Sequence, residues 1–372
     1  MMTKIKYLPF FIAIFFLFLM STNVIAHNKV VVIPLNSCKI VSSKIITVPS
    51  DYSTIQGAIE AANEGDTIKI LAGTYNEIIS IKKDNITLDG KNKDTTILNG
   101  NKSSSTISIN NSKNISINNL SIGNGKNGIS INFSSVYLSN LKIKDNGNGL
   151  QVVSNSHINI DNTFVNNNID NGLELKFNST AYIDNSEFNN NSSAGVFFTM
   201  GSSVYIQYSK TSNNSVGLSS SINTSTRIIG CEIMSNIFGI VLRGNATGLL
   251  TGHNIISDNG DVAGGAGIDI SANSHLSIAS SNPGLEISAN KGPGISVSMN
   301  SSLLLEGGSI NNNQGDGINL SGNSVGQIFY NIFPISIVEN NGYGINCAGA
   351  ILEGDVDKIT FSNNALGDTN CP

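Results

Sequence analysis

Charge is what this sequence has least of. Only 13% of its 372 residues are Asp, Glu, Lys or Arg, the net charge is −5, and the whole chain holds two arginines, Arg227 and Arg243. So weak an acidic balance advertises no charged partner. No basic stripe exists that could neutralise phosphates, which excludes nucleic acid as a partner. Histidines are equally sparse. His157, His253 and His275 fall in different repeats without metal-ligand spacing, and His27 would head the mature chain, so a transition-metal site has no support. The apolar run 8–20 falls short of the roughly 20 residues a bilayer needs. It follows Lys4 and Lys6 and leads to Val24 and Ala26, the layout of a secretory signal peptide cut after Ala26. The mature chain is therefore expected to be secreted, periplasmic or extracellular, with no membrane span. Low charge with abundant Asn and Ser is also the composition of disorder, but sustained Ile, Val and Leu periodicity supplies every repeat with apolar area to bury.

What the chain has in abundance is glycine, 37 in all, much of it in one phrase. A glycine, an aliphatic residue, any residue and usually a second aliphatic recur as Gly128-Ile129-Ser130-Ile131, Gly149-Leu150-Gln151-Val152, Gly172-Leu173-Glu174-Leu175 and Gly195-Val196-Phe197-Phe198. The series continues from Gly217, Gly239, Gly267, Gly294, Gly317 and Gly344, at spacings of 21, 23, 23, 22, 22, 28, 27, 23 and 27 residues. A period in this range marks a solenoid. Alternation within the phrase makes it a strand with one buried face, and the glycine is expected to turn a tight corner with positive φ. A second alternating run follows in most repeats, at 136–143, 182–188 and 227–233. Asn-rich corners end these runs, as at Asn166-Asn167-Asn168, Asn189-Asn190-Asn191 and Asn213-Asn214. Asparagine tolerates the left-handed conformation, and stacked Asn corners can form ladders between coils. Two or three strands per turn suggest an all-β parallel β-helix.

Ahead of the repeats, residues 27–46 form an N-terminal segment, and short apolar strands are expected at 30–33 and, across its boundary with the solenoid, at 45–48. The solenoid is expected over 47–372, with a lid helix at about 53–64. Ser53-Thr54-Ile55-Gln56 reads as a capping box, and Ile55, Ala58, Ile59 and Ala62 form the apolar face before the stop at Gly65. Such a helix hides the open core and unpaired edges of a solenoid end. Residues 67–71 are expected to begin the first coil. The stretch from Val48-Pro49-Ser50-Asp51-Tyr52 to Ala61-Ala62, with Gly65-Asp66-Thr67-Ile68, Ala72-Gly73-Thr74-Tyr75 and Ile86-Thr87-Leu88-Asp89-Gly90, resembles the opening of the pectin-lyase-like superfamily. It is similar in particular to right-handed β-helix proteins of the pectinesterase and NosD type, and the resemblance covers 47 to about 364. It implies a right-handed parallel β-helix whose site, if one exists, spans outward positions of several coils. It does not imply one activity, because the superfamily includes lyases, hydrolases, esterases, epimerases and binding proteins.

The outward positions two residues after each repeat glycine are Ser130, Gln151, Glu174, Phe197, Ser219, Val241, Asp269, Ser296, Asn319 and Asn346. Those four residues after it include Lys176 and Arg243. Glu174 and Lys176 share a strand, while Arg243 and Asp269 sit on neighbouring coils, where a spacing of about 4.8 Å brings them within ion-pair range. Arg243 with Asp269 reads either as a substrate clamp or lyase-type base, or as a surface ion pair. Phe197 either stacks on a sugar or packs on its neighbours. Glu187, Lys210 and Glu232 form an outward ladder of alternating sign on a second column. The enzymes resembled rely on tight sets of aspartates, on two aspartates with an arginine, or on an arginine beside calcium-holding aspartates, and no such set can be laid on this sheet residue by residue. Asp258 and Asp261, in an enlarged loop at about 257–267, are candidates for calcium with Asp269, or simply turn formers. Two further enlarged loops fall at about 279–285 and 328–337. Of four cysteines, Cys347 and Cys371 lie one coil apart and form the favoured disulfide. Cys231 aligns with the inward Ser186 and Ser209 and reads as a buried thiol, and Cys38 has no assigned partner.

Two functions remain open. One is a secreted, monomeric binding protein presenting a polar face to a polysaccharide or cell-surface glycan, with no cofactor required. The other is a lyase, hydrolase or epimerase acting on uronic-acid glycans through Glu174, Lys176, Arg243 and Asp269. The first is preferred, because two arginines and no compact carboxylate cluster leave little to supply several kcal/mol of transition-state stabilisation.

Overall fold

The coil period resolves into three parallel sheets in a computed structural model that describes residues 43–261, 265–279, 284–330 and 333–372. The signal segment 1–26, the strand at 30–33, Cys38 and parts of the three enlarged loops lie outside the described residues. Sheet I has 14 strands, from Ile45–Val48 to Ile351–Gly354. Sheet II has 13, from Gly73–Asn76 to Thr360–Ser362, and sheet III has 13, from Ile79–Ile81 to Gly367–Asn370. Each coil runs through I, II and III in turn, and the repeat glycines lie on sheet III. The solenoid begins earlier than residues 67–71, because Ile45–Val48 already pairs with Thr67–Ile70 ahead of the helix.

Inward aliphatics from all three sheets meet in one continuous core, with Ile129, Ile131, Leu173, Leu175, Phe188 and Phe198 fully buried. Each such side chain contributes about 1.5–3 kcal/mol of transfer free energy, set against the entropy of ordering it. The second alternating run is two strands, not one. Ser135–Ser139 belongs to sheet I and Lys142–Lys144 to sheet II, and the chain bends between them at Asn140, φ 54°. The same break falls at Asn185 between Thr180–Asp184 and Glu187–Asn189. Alternation survives the bend because the corner residue behind it, Leu141 or Ser186, also points inward.

The corner between sheets II and III carries a buried asparagine ladder. Asn146, Asn168, Asn191, Asn214, Asn236, Asn259, Asn290, Asn313, Asn340 and Asn364 stack one per coil, each Nδ2 donating to the next Oδ1 at 2.9–3.2 Å. The preceding residues Asn167, Asn190 and Asn213 supply the left-handed turn, with φ of 58°, 55° and 55°. A serine ladder does the same work between sheets III and I, where the backbone amides of Ser112, Ser134, Ser156 and Ser179 each donate to the hydroxyl one coil on.

The ladder explains the glycines, and corrects the expectation that they turn corners at positive φ. None of the ten repeat glycines is in the left-handed region. They are needed because nothing else fits. A Cβ on Gly128 would lie 2.9 Å from Asn146 Nδ2, one on Gly172 2.8 Å from Asn191 Nδ2, and one on Gly317 3.0 Å from Asn340 Nδ2. At eight of the ten the ladder amide of the next coil occupies the space of the missing side chain, while Gly217 faces the Gly239 carbonyl oxygen and Gly344 the Asp368 carbonyl oxygen and the Phe361 ring.

Helix α1, Ile55–Ala61, buries Ile55, Ala58 and Ile59 in the core. Its N-cap is Thr54 rather than Ser53, with Thr54 Oγ1 accepting from the Gly57 amide at 3.1 Å. The partner acid also comes from elsewhere: Glu77 accepts from the amides of Ile55 and Gln56 at 3.0 and 3.1 Å. Lys83 Nζ donates to the carbonyls of Ile59, Glu60 and Ala62 at the other end. Acid at the N-terminus and base at the C-terminus both oppose the helix dipole.

At the far end, Cys347 and Cys371 are joined in a disulfide. Cys231 is buried, with its amide bonded to Asn254 and its thiol near the carbonyls of Ile206 and Ile229. Burial pushes its pKa up to about 11, and the thiol is the unreactive form. In a Cys38→Ser variant kept non-reducing, the folded chain at neutral pH is expected to take up no maleimide, and one equivalent after denaturation. Labelling at the same rate in both states would contradict the buried, protonated thiol.

Candidate functional site

Strand register on sheet III reproduces the outward column, pairing Ser130 with Gln151, Gln151 with Glu174, Glu174 with Phe197, and so on through Ser219, Val241, Asp269, Ser296, Asn319 and Asn346. The parallel pairing makes residues one repeat apart lateral neighbours, so this face is a set of one-dimensional side-chain rows. Two charged clusters stand on it.

The first cluster is a relay of hydrogen bonds across three coils. Glu174 is only 7% exposed, its Oε1 lying 2.6 Å from Lys176 Nζ and its Oε2 accepting from Gln151 Nε2 at 2.9 Å. Gln151 Oε1 accepts in turn from Asn127 Nδ2 at 3.3 Å, and Asn127 Oδ1 from Asn148 Nδ2 at 3.3 Å. Asn171 then donates to Asn148 Oδ1 at 3.2 Å. Phe197 lies half-buried in register between Glu174 and Ser219. The second cluster is the ion pair of Arg243 Nη2 with Asp269 Oδ2 at 2.7 Å, with the arginine side chain 54% exposed. Glu174 and Arg243 are three rungs apart, roughly 14 Å at the strand spacing. The two clusters are therefore separate.

Other candidates are dispersed. Asp258 occupies the left-handed corner position, φ 56°, that Asn190 and Asn213 take in earlier coils. Asp269 turns to Arg243 instead. Among the described residues no group of three or more His, Cys, Asp or Glu stands where it could hold a metal. Lys210 and Glu232 pair at 3.3 Å, whereas Glu187 accepts from Asn189. His157 and His275 do share an outward column on sheet I, but five rungs separate them, roughly 24 Å. His253 Nδ1 lies 2.7 Å from the Gly284 carbonyl oxygen. His275 is half enclosed, and that burial holds its pKa below the usual histidine range. No helix among the described residues is long and apolar enough to cross a membrane.

Sequence reasoning missed a third feature, on sheet I. Tyr182, Tyr205 and Arg227 occupy the same outward register position on successive strands. The two rings stack with centroids 4.9 Å apart and planes at 12°. Beside them runs an open groove of about 490 Å³. The signal was available, since the three residues lie 23 and 22 positions apart, the spacing of the repeat itself.

A family model described as "Right handed beta helix region" matches residues 57–207 and 127–282. No curated protein matches the sequence. Among solved structures, the A-modules of the Azotobacter vinelandii mannuronan C-5 epimerases AlgE4 and AlgE6 align with TM-scores of 0.53 and 0.52 at 14% and 12% identity. They cover 86% and 85% of this chain, and 92% and 93% of their own. Pectin methylesterase from carrot aligns over 57% of this chain and 82% of its own, at 17% identity and a TM-score of 0.46. The matched family model and the three parallel sheets agree on a right-handed β-helix, the fold that the opening motif implies. At such identities the likeness is one of fold.

Proposed function

We propose that this chain, which belongs to the right-handed β-helix family, is a secreted polysaccharide-binding protein that holds a glycan along the outward face of sheet III without cleaving it. The observation that carries this reading is that the two acids of the outward column, Glu174 and Asp269, are already engaged. Glu174 is held by Lys176 and Gln151, and Asp269 by Arg243. A general base must have a lone pair within hydrogen-bond reach of the proton it removes, with a second group poised on the same bond. Here the two clusters stand about 14 Å apart, a separation suited to different units of an extended polymer and too large for concerted chemistry on one linkage. The amide row of Asn127, Gln151 and Asn148 offers paired donors and acceptors of the kind sugar hydroxyls need.

The test is to incubate the mature protein with glycan arrays and with soluble uronic-acid polymers, with calcium or with a chelator. Retention of unchanged glycan, equal in both conditions, is the expected result. Release of unsaturated or epimerised product, abolished by Arg243→Ala, would replace binding with a lyase or epimerase activity.

A further inference from the structure

We propose that sheet I carries a second, separate binding site, in which the groove beside the Tyr182–Tyr205–Arg227 stack takes an anionic sugar unit, a pyranose bearing a carboxylate or a sulfate ester. It shares with the sheet III reading only the class of ligand.

The groove is bounded on one side by the stack and on the other by a row of hydroxyls, Thr180, Ser203 and Ser225, two residues earlier on the same strands. These rows are built differently. The tyrosines present ring surface, with Tyr182 38% exposed, and the hydroxyl row is partly linked, Ser225 Oγ donating to Ser203 Oγ at 2.9 Å. The rings face one another within the stack and turn their edges to the groove, so a sugar there meets apolar ring C–H on one side and hydroxyls on the other.

The charge decides which sugar. Arg227 is one of two arginines in the chain. The other, Arg243, has a carboxylate at 2.7 Å, whereas Arg227 pairs with no carboxylate among the described residues. Its guanidinium carbon instead stands 5.6 Å from the Tyr205 ring centroid, an arrangement that fixes its plane while leaving the donor fork unused by any acid. Asp184, whose charge reaches Tyr182, is not among the groove's lining residues, and no other acid lines it. The groove is thus positive at one end, in a protein whose net charge is −5. A guanidinium fork binds a planar carboxylate or a sulfate through two parallel hydrogen bonds.

The experiment is calorimetric titration with four probes: a galacturonate hexasaccharide, its methyl ester, a sulfated galactan hexasaccharide and its desulfated form. The anionic form of at least one pair is expected to bind about tenfold more tightly than its neutral counterpart. Arg227→Gln should remove that advantage while leaving the neutral form unchanged, Arg227→Lys should restore part of it, and Tyr182→Ala should weaken both forms. Unchanged thermal melting shows that these surface variants fold. The proposal is overturned if no anionic probe binds, if anionic and neutral forms bind alike, or if Arg227→Gln weakens both equally. Competition by inorganic sulfate as strong as by the sugar would also overturn it, because the ring would then contribute nothing. Gln151→Ala on sheet III separates the two sites: loss of all binding in Gln151→Ala but not in Arg227→Gln leaves the sheet III reading standing and removes this one, and the reverse pattern does the opposite.

Discussion

Asn214→Ala is expected to destabilise the solenoid by about 3–5 kcal/mol. Asn214 Oδ1 accepts from both the backbone amide and the Nδ2 of Asn191, at 2.8 and 3.2 Å. Its own Nδ2 donates to the Phe188 carbonyl at 2.9 Å and to Asn236 Oδ1 at 3.0 Å. Truncation would strand the Asn191 amide in a water-free interior, where an unpaired group costs about 1–3 kcal/mol, and would remove a further bond at the Phe188 carbonyl, besides leaving a cavity. The neighbouring Asn213→Ala provides the control. Asn213 is exposed with φ 55°, so its replacement incurs only the left-handed penalty of an L-residue, about 1–2 kcal/mol. Because repeat arrays couple mainly nearest neighbours, hydrogen exchange is the suitable readout. Protection of the Asn191 amide should fall sharply in Asn214→Ala and hardly at all in Asn213→Ala. Equal losses in the two variants would mean that the ladder does not stabilise the stack.

Gly172→Ala is expected to cost about 2–3 kcal/mol although its backbone is one that alanine adopts freely. In open space the change would even be stabilising, by restricting the unfolded chain. The opposing term is contact. The new methyl would lie 2.6 Å from the Gly195 carbonyl oxygen, 2.8 Å from Asn191 Nδ2 and 3.2 Å from Phe188 Cδ1. The first belongs to the backbone of the adjoining rung and the second to the ladder, so relief requires the rungs to part on one side. Gly349→Ala reverses the balance, with φ 67° and nothing within 4 Å of the added carbon. It should lose only the conformational term, about 1–2 kcal/mol. Comparing the unfolding midpoints of the two variants decides the matter. A neutral Gly172→Ala would show that the stack opens easily, and that the repeat glycine is not a packing requirement.

The ion pair of Arg243 with Asp269 and the buried setting of Cys231 were legible because both follow from the period alone. In a parallel stack, the residue one repeat along is the lateral neighbour. The same rule would have exposed the tyrosine column had Tyr182, Tyr205 and Arg227 been set in register. Other features were beyond its reach. Glu77 caps α1 from the corner between Gly73–Asn76 and Ile79–Ile81, and the repeat pattern says nothing of what lies across a corner. The split of each second run at Asn140 or Asn185 was hidden for a related reason, since inward Leu141 and Ser186 keep the alternation unbroken through the bend.

By itself, the sequence determined the winding: a recurrent aliphatic pair at a near-constant spacing can bury its face only by stacking on its own copies, and Asn recurring at one corner of each repeat can pair with its own copies one coil on. The tertiary structure alone decided why each repeat carries a glycine, how Gln151 joins Lys176 in holding Glu174, and where a groove opens. Those are questions of distance between chain segments that approach from different directions, and a linear period fixes neighbours along one axis only.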